Sequence, residues 1–254
     1  MFSTPQTLFI LKGIYIIIVG CVTWMIFTAQ WHTLAFGCLA GWFFHWMLGS
    51  IIVHRYITHK TFKLSKYPHI IWCSLANLIL VGSTISWASM HRTHHITSDT
   101  DLDPHTPTKY SAFQLFFLTV DLTSKDVEMM NSKDLIRDPT LRFLHKYYLE
   151  TVVASILIMG FISTQLLMLY FICVLYTLIG IFFSVYVYHK DMPFNYNNHT
   201  NQDTSFNNLL SGLLFHGEAY HNNHHNNPRL VSNAERWFEW DANKWLISLI
   251  EQKT

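Results

Sequence analysis

The sequence is poor in charged residues and has no excess of either sign. Only 13% of its 254 residues are charged, whereas a soluble globular domain carries about 25%. This shortage disfavours a water-soluble single domain. The formal net charge is only +1, and nucleic-acid binders depend on a basic surface that neutralises phosphates. We therefore expect no nucleic-acid partner.

Closely spaced cysteines, repeats and flexible linkers are also missing. The four cysteines lie far apart in apolar stretches, at Cys21, Cys38, Cys73 and Cys173. This spacing argues against a disulfide framework and against a CxxC metal site. No internal repeat, low-complexity tract or Pro/Gly-rich linker divides the chain, so we predict a single domain over residues 1–254.

Long apolar runs dominate what is present. Half of the residues are hydrophobic, and the hydrocarbon core of a bilayer, about 30 Å thick, needs about 20 apolar residues in a helix. Four runs meet this requirement, at approximately 8–28, 33–53, 147–163 and 166–188. We therefore predict an all-α integral membrane protein with four transmembrane helices.

The placement of positive charge predicts the orientation. Apart from Lys12, every Lys and Arg falls within 55–146 or 190–253, and positive charge concentrates on the cytoplasmic side. Both termini and both polar regions are then cytoplasmic and form a helical cap. The segment 68–90 is long enough to cross but contains many polar residues. We predict an interfacial helix there, because a crossing would put the two flanking polar stretches on opposite sides.

Histidine is unusually frequent, with 16 residues, and eight of them form three clusters. The clusters are HRYITH (54–59), HRTHH (91–95) and HNNHH (221–225). In H-x-x-H-H, positions i, i+3 and i+4 share one helix face, so three imidazoles are expected to converge on one point. In the first cluster, a separation of five residues turns the side chains about 140° apart, so two histidines bracket a site. His189, at the cytoplasmic end of the fourth span, is a ninth candidate.

The number of clustered histidines indicates a two-metal centre. A single such histidine is more often a polar cap or an interfacial side chain, but the spacing recurs beside three hydrophobic segments. Structural zinc takes four ligands, often thiolates, and one zinc ion would leave half of the set unused. Two six-coordinate irons could use nine nitrogens and keep positions for oxygen. The sequence therefore predicts a di-iron centre.

At these clusters the sequence resembles the membrane fatty acid desaturases, in the branch that contains the acyl-CoA Δ9 desaturases and the bacterial acyl-lipid desaturases. The order HxxxxH, HxxHH, HxxHH is specific to that group. Further matches are HRTHHITSDTDLDPH (91–105), DLIRDPTLRFLHKYY (134–148), GEAYHNNHHNNP (217–228) and the aromatic segment 237–250. The resemblance covers roughly residues 35–250.

The resemblance implies O₂-dependent insertion of a cis double bond into a long-chain fatty acyl group, at Δ9, by an oxidoreductase that reduces O₂ to water. It implies a cytoplasmic cap that holds two irons above a narrow acyl tunnel. The implied metal ligands are His54, His59, His91, His94, His95, His189, His221, His224 and His225. In the acyl-CoA branch an Asn four residues before the fourth-helix histidine holds a metal-bound water, but this chain has Val185 there, beside Ser184.

The resemblance also leads to expectations about partners and supporting residues. We expect no fused haem domain of the cytochrome b5 type and therefore a separate electron donor: a ferredoxin, a rubredoxin-like protein, or cytochrome b5 with its reductase. The acyl carrier is either CoA or a membrane lipid, and a bacterial-type inner membrane is favoured over the endoplasmic reticulum. Candidate acceptors for imidazole N–H groups are Asp99, Asp101, Asp103 and Glu218. Trp42 and Trp46 are candidates for the closed end of the tunnel.

Two other functions stay open at this point. A fatty acyl or lipid hydroxylase could use the same di-iron scaffold, and product analysis separates an alcohol from an alkene. A non-catalytic metal transporter or metal-binding membrane protein is the alternative from another class. Transporter ligands usually lie at mid-membrane depth, whereas these clusters follow the ends of hydrophobic segments.

Overall fold

The computed structural model describes residues 5–117 and 129–252, and helices make up most of them. The α-helices are α1 (Pro5–Phe27), α2 (Trp31–Phe44), α3 (Lys66–Ala76), α4 (Thr84–Thr97), α5 (Ala112–Phe116), α6 (Lys133–Ile136), α7 (Pro139–Lys146), α8 (Tyr148–Ile162), α9 (Thr164–Val185), α10 (His221–Asn226) and α11 (Asn243–Ile250). A π-helix, His45–His59, continues α2 without a break, and short 3₁₀ turns occur at Asn77–Ile79, Met129–Ser132 and Val187–His189. The strands β1 (Asn195–Tyr196) and β2 (Asn207–Asn208) form one antiparallel pair.

Three helical stretches are long and apolar enough to cross a bilayer. They are Phe9–Phe27, Trp31–His59 and Thr164–His189, with mean hydropathies of 2.2, 1.6 and 2.5. Large apolar side chains on their outer faces are exposed, for example Phe9 and Phe36, which is the pattern of a surface that contacts lipid. The prediction of an all-α integral membrane protein is confirmed.

The third predicted span is shorter than the sequence indicated. Helix α8 has 15 residues, which extend about 22 Å at 1.5 Å per residue, against a hydrocarbon core of about 30 Å. The run is shortened at its start because Tyr147 is the C-cap of α7, where the chain leaves helical geometry. The helix ends at Ser163, whose extended backbone and side chain cap the start of α9.

The predicted interfacial helix over 68–90 is two helices in the structure. The helical stretches Lys66–Ile79 and Thr84–Thr97, which contain α3 and α4, are bent by 77° at the break between them, and together they have the length and composition of either one broken span or a re-entrant segment. Leu80 (φ 60°) and Gly82 (φ 88°) adopt left-handed backbone conformations, which cannot continue a right-handed helix. Ser83 then caps α4 by accepting a hydrogen bond from the Ser86 amide. Its interfacial placement stays a prediction.

Helices α2 and α9 pack closely because glycines line the contact. A methyl group at Gly37 would lie 2.5 Å from Ile172, and one at Gly41 would lie 2.8 Å from Tyr176. The spacing Gly-x-x-x-Gly is the small-residue pattern that lets membrane helices approach. This packing brings the C-terminal ends of the two spans, and with them His54 and His189, to the same region.

Arg92 joins α4 to the end of the π-helix. Its guanidinium donates to the carbonyl oxygen of Thr58 (2.8 Å) and to the Asp134 carboxylate (2.8 Å). The carbonyls at a helix C-terminus lack intrahelical partners, so a cation satisfies and stabilises them there. The contact fixes His91 and His95, on either side of Arg92, relative to His59.

Candidate metal centre

The structure brings all nine predicted histidines together in two adjoining groups. In each group, one ring nitrogen of every member lies within 4.8 Å of the others. The five-membered group, called group A below, contains His54, His59, His91, His95 and His224. The four-membered group, group B, contains His94, His189, His221 and His225.

Each H-x-x-H-H cluster contributes to both groups, contrary to the expectation of one common point. In α4, His91 and His95 belong to group A and His94 to group B; in α10, His224 belongs to group A and His221 to group B. Consecutive residues of an α-helix point about 100° apart. The pair i, i+4 therefore stays together while the adjacent histidine turns to the other group.

His54 and His59 also differ from the sequence expectation. They belong to one group, with ring centroids 4.8 Å apart, instead of pointing about 140° apart and bracketing a site from different sides. The reason is the π-helix, in which hydrogen bonds join residues five apart. Positions i and i+5 then share a face, and the angle calculated for an α-helix does not apply.

The Nε2 atoms of group A lie at the separations expected around one ion. The His54 Nε2 atom is 3.0 Å from the Nε2 atoms of His91 and of His224, and the His95 Nε2 atom is 3.1 Å from that of His91. Metal–nitrogen bonds of about 2.1 Å at right angles put neighbouring ligand nitrogens about 3.0 Å apart. The Nε2 atom of His59 is buried without a hydrogen-bond partner within the described residues.

The Nε2 atoms of group B have the same spacing. The His221 Nε2 atom lies 3.1 Å from those of His189 and His225, and the His94 and His225 Nε2 atoms are 3.3 Å apart. Both groups are therefore compact enough for each to hold one ion.

Carboxylates accept hydrogen bonds from the second ring nitrogen, Nδ1, of several of these imidazoles. Asp103 accepts from His94 Nδ1 (2.8 Å), Asp99 from His189 Nδ1 (3.1 Å) and Asp203 from His225 Nδ1 (2.8 Å). An ionised carboxylate only accepts hydrogen bonds, so Nδ1 carries the proton and Nε2 carries the lone pair. These pairings also fix the orientation of each ring.

The positions of these protons determine whether the histidines can bind a metal ion. His94 and His225 both present a lone pair at Nε2, and these two atoms are 3.3 Å apart. Two lone pairs at that distance repel unless a cation lies between them. The donor set is therefore complementary to a bound cation, and imidazole is a normal ligand of iron.

Glu218 orients His54, a member of group A, and belongs to a buried ionic network. Its carboxylate accepts from His54 Nδ1 (2.6 Å) and from the fully buried Arg55 and Ser50 side chains. Arg55 also contacts the Asp241 carboxylate at 3.4 Å. A buried carboxylate is tolerated only when it is paired and hydrogen-bonded, and here the guanidinium satisfies it while it orients His54.

Buried asparagines position α10. Asn222 and Asn223 are fully buried between the histidines. The side-chain Oδ1 atom of Asn222 accepts from the backbone amides of Asn198 (3.0 Å) and His199 (2.8 Å), and the Oδ1 atom of Asn223 accepts from the side-chain amide of Asn207 (2.8 Å). Because the helix is only six residues long, these contacts with the loops rather than its own hydrogen bonds hold His221, His224 and His225.

Burial keeps the α10 imidazoles neutral. The pKa values of His221, His224 and His225 lie well below the ordinary value, first because burial disfavours the charged ring and then because other histidines surround them. A neutral imidazole is the form that binds a metal ion. The pKa of Asp99 is lowered despite its burial because His189 and Thr204 hydrogen-bond its carboxylate.

Three of the four predicted hydrogen-bond acceptors contact an imidazole in the structure. Asp99, Asp103 and Glu218 each contact an imidazole of the two groups, whereas Asp101 is exposed, and no imidazole contact of its carboxylate is present within the described residues. Sequence reasoning missed Asp203, which lies on a loop far from every cluster. It also missed His105, which lies against His94 with ring centroids 4.3 Å apart; its place in the DPH sequence was the available signal.

A cavity adjoins the histidines on the membrane side. It contains about 540 Å³ of empty space, its mouth included, and is lined by His45, Gly49, Ser50, Val53, His54, Ile79, Trp87, His91, His94, His105, Ile181, Ser184, Val185, Glu218 and His221. Val185 and Ser184 thus line the same cavity as His54, His91, His94 and His221. Trp42 and Trp46 are not among the lining residues; they pack on His216 and donate to Leu213 and Asn243. Their role in chain length stays a prediction.

The fold and the site together define a class of protein. It is an all-α integral membrane protein in which buried histidine clusters form a plausible metal site beside an internal cavity. The family model described as fatty acid desaturase matches residues 29–234. The chain belongs to the fatty acid desaturase family: it is an oxidoreductase that acts on a fatty acyl substrate.

The names of similar proteins differ in acyl carrier and in double-bond position. The sn-1 stearoyl-lipid 9-desaturase of Anabaena variabilis is 29% identical over 220 residues, covering 82% of this chain and 78% of the relative. The sn-2 palmitoyl-lipid 9-desaturase of Nostoc is 28% identical and covers 89% and 86%. The acyl-CoA C20 Delta5-desaturase of Anemone leveillei is 29% identical and covers 80% and 65%.

Proposed function

We propose that this desaturase introduces a cis double bond at Δ9 of a long acyl chain, and that the chain is carried by a membrane lipid, with CoA as the alternative carrier. The two cyanobacterial relatives named above, which cover most of this chain, are named as lipid 9-desaturases. The Anemone relative named as an acyl-CoA Delta5-desaturase has similar identity, so product analysis decides both carrier and position.

The observation that carries the proposal is the pair of imidazole groups at one end of an apolar cavity. Group A and group B would hold two irons, one each, through the nine histidines. When bound, the irons supply the oxidising power, with O₂ and two electrons, to remove hydrogens from methylene groups that have no acidic character. Group B has one imidazole fewer than group A, which leaves more open positions there.

The chain's own residues then bind, orient and exclude water. Asp99, Asp103, Asp203 and Glu218 hold the protons at Nδ1 and keep the lone pairs at Nε2. Val53, Ile79, Ile181 and Val185 give the cavity apolar walls against which methylene groups can pack. Such walls keep water away from the reacting carbon atoms.

The remaining expectations complete the proposal. We place the metal centre and both termini on the cytoplasmic side, in a bacterial-type inner membrane, with all 254 residues in one domain. Electrons come from a separate carrier, either an iron–sulfur or rubredoxin-like protein or cytochrome b5 with its reductase.

The direct test is expression in a host with a simple lipid profile, followed by gas chromatography and mass spectrometry to locate new double bonds. His94→Ala removes a group B nitrogen at the cavity wall, and we expect it to abolish the product. His32→Ala is the matched control, because His32 is exposed in the first turn of α2.

Three results would contradict the proposal. An alcohol in place of an alkene would establish the hydroxylase, and exchangeable zinc without iron in the purified protein would favour a metal transporter. Undiminished product from His94→Ala would refute the ligand assignment.

A further inference from the structure

A segment of turns, residues 209–216, lies against two of the membrane spans and is called the strap below. The Leu213 carbonyl oxygen accepts a hydrogen bond from the indole N–H of Trp42 in α2, at 3.0 Å. The Leu214 carbonyl oxygen accepts from the hydroxyl group of Tyr176 in α9, at 2.8 Å. The strap therefore bridges the two spans.

These two contacts lie at the depth of the hydrocarbon. Trp42 is eleven residues from the start of the span Trp31–His59, and Tyr176 is twelve residues from the start of the span Thr164–His189. At 1.5 Å per residue the rise is about 17 Å, near the middle of a hydrocarbon core about 30 Å thick. Irregular backbone exposed to lipid is normally excluded from this depth, because its polar groups lack partners. Here the indole and the phenol satisfy two of the strap's carbonyl oxygens.

The leucines of the strap form its outer face. Leu209, Leu210, Leu213 and Leu214 are 43–61% exposed. A cluster of exposed apolar side chains marks an interaction surface, and beside two membrane spans its partner is the acyl interior of the bilayer. Lipid chains therefore lie directly against the outer side of the strap.

Phe215 is the part of the strap that points inward. Its side chain is only 3% exposed, and a methyl group at Gly180 would lie 3.1 Å from its ring, so the ring packs on the backbone of α9. The ring centroid is also 5.7 Å from that of His45 in the π-helix. His45 and Ile181 both line the cavity. Phe215 therefore fills the gap between the π-helix and α9, on the lipid side of the cavity.

The two ends of the strap are fixed to the rest of the protein. At one end, the buried Ser211 side chain accepts from the Tyr188 hydroxyl group, at 2.9 Å. At the other end, the Asn243 side chain donates to the His216 carbonyl oxygen. Between these ends, residues 212–215 meet the spans through the two hydrogen bonds above and the Phe215 ring. A hydrogen bond makes only a modest net contribution to stability, so the middle of the strap can move while its ends stay in place.

We propose that the acyl chain of a membrane lipid enters the cavity sideways from the bilayer, between the π-helix and α9, when residues 212–215 of the strap move away from Trp42 and Tyr176. A lipid that enters in this way keeps its second chain in the hydrocarbon, whereas a route through the water phase would expose both chains to water. The inference rests on the proposed function in one respect, that the substrate chain is carried by a membrane lipid.

The test locks the strap to α9 reversibly. Leu214→Cys and Tyr176→Cys are introduced together, after the two native cysteines that are not buried, Cys21 and Cys38, have been changed to alanine. A flexible bifunctional methanethiosulfonate reagent joins the two new thiols, and a reductant releases them. The locked and free states are thus compared in one protein, which separates the effect of the lock from any effect on folding.

The probe is a phosphatidylcholine that carries a photoreactive diazirine in one acyl chain, supplied in lipid nanodiscs with the purified variant. Mass spectrometry of peptides locates its attachment, so the measurement requires neither bound metal nor turnover. We expect attachment to the cavity residues Ile181 and Val185 in the free state, and a loss of about tenfold or more in the locked state. The control pair Ile162→Cys and Leu166→Cys, at exposed positions beside the turn between α8 and α9, should show equal attachment before and after crosslinking.

Tyr176→Phe tests the same contact without a crosslink. The variant keeps the ring but removes the hydroxyl group that holds the Leu214 carbonyl oxygen, so the strap opens more readily. We expect attachment of the lipid probe to Ile181 and Val185 to increase about two- to tenfold. Tyr67→Phe, at an exposed tyrosine of α3, is the matched control and should give the wild-type value.

Equal attachment in the locked and free states would overturn the inference. It would also be overturned if a photoreactive acyl-CoA, added to the water phase, reached the cavity more efficiently than the lipid probe and regardless of the lock, because the chain would then enter from the cap. If the lock excludes the lipid probe but the free enzyme forms no alkene, the desaturase proposal fails while the role of the strap stands.

Discussion

Single carboxylates decide which ring nitrogen of an imidazole faces the metal site. His94, His189, His225 and His54 are paired with acidic side chains from different parts of the chain. Such partners usually change metal affinity or activity by about 10–100-fold when they are removed. They therefore contribute to the centre although no carboxylate belongs to either imidazole group.

The substitution Glu218→Gln is the strictest test of the contribution that these carboxylates make to metal binding. The change leaves His54 with a weaker acceptor and leaves Arg55 buried beside a neutral amide. We expect metal affinity to fall about 10–100-fold and the free energy of unfolding to fall by about 3–5 kcal/mol. Metal retained after dialysis against a chelator measures the first effect, and thermal unfolding in detergent measures the second. Glu251→Gln, at an exposed glutamate, is the control; equal losses in both variants would contradict the prediction.

The carboxyl pKa of Asp103 predicts that the stability of the folded protein depends on pH. Burial alone raises its pKa, but the charge and hydrogen bond of His94, together with His105, lower the pKa from 3.8 to about 2. A lowered carboxyl pKa stabilises the folded state above pH 3.8, and the stabilisation disappears as the pH falls toward 2. It amounts to about 2 kcal/mol.

The measurement is the melting temperature of the metal-free protein against pH, for the wild type and for Asp103→Asn. The variant should be less stable above pH 3.8, and the two curves should meet near pH 2. Asp191→Asn, at an exposed aspartate, should follow the wild type. A difference that persists unchanged to pH 2 would show that the carboxylate charge is not responsible.

Helix geometry determines how the clusters are used. The π-helix puts His54 and His59 on one side, whereas the α-helical geometry of α4 separates His94 from His95. Two imidazole groups that could each hold a metal ion therefore arise from three short motifs together with His189. The close contact between α2 and α9 sets the distance between the spans that carry His54 and His189.

Gly41→Ala tests that contact. The added methyl group would lie 2.8 Å from the Tyr176 side chain and 3.3 Å from the Cys173 backbone. Overpacking of this kind costs about 1–3 kcal/mol, and we expect thermal unfolding in detergent to show that loss together with weaker metal retention. Gly13→Ala in α1 is the matched control, because nothing lies within 4 Å of the added atom. Equal stability of the two variants would refute the role of the glycine contact.

The distribution of charge over the molecule predicts its orientation. The turn at Ser163, between α8 and α9, has no charged residue beside it, whereas Ser65 lies in a loop flanked by lysines. Positive charge favours the cytoplasmic side. The metal centre should therefore face the cytoplasm, where a soluble electron donor can reach it.

Cysteine labelling tests this orientation. Ser163→Cys should react with a membrane-impermeant maleimide in intact cells, and Ser65→Cys should react only after the cells are made permeable. The unmodified chain, with its four native cysteines, gives the background. Labelling of Ser65→Cys in intact cells would reverse the proposed topology.

Much of this protein was predictable because the relevant signals are local. Hydropathy alone indicates the membrane spans around α1, α2 and α9, and the H-x-x-H-H spacing alone selects the histidines of α4 and α10. The break between α3 and α4 was not predicted, because apolar composition does not reveal the left-handed backbone at Leu80 and Gly82.

The division of the histidines into two groups depended on contacts between distant residues. His94 and His225 are 131 positions apart, yet their Nε2 atoms are 3.3 Å apart, and Asp203 reaches His225 from a loop with no sequence signature. Spacing along a chain specifies which side chains share a helix face, but the distance between faces, and whether a buried polar atom has a partner, exist only once the helices pack.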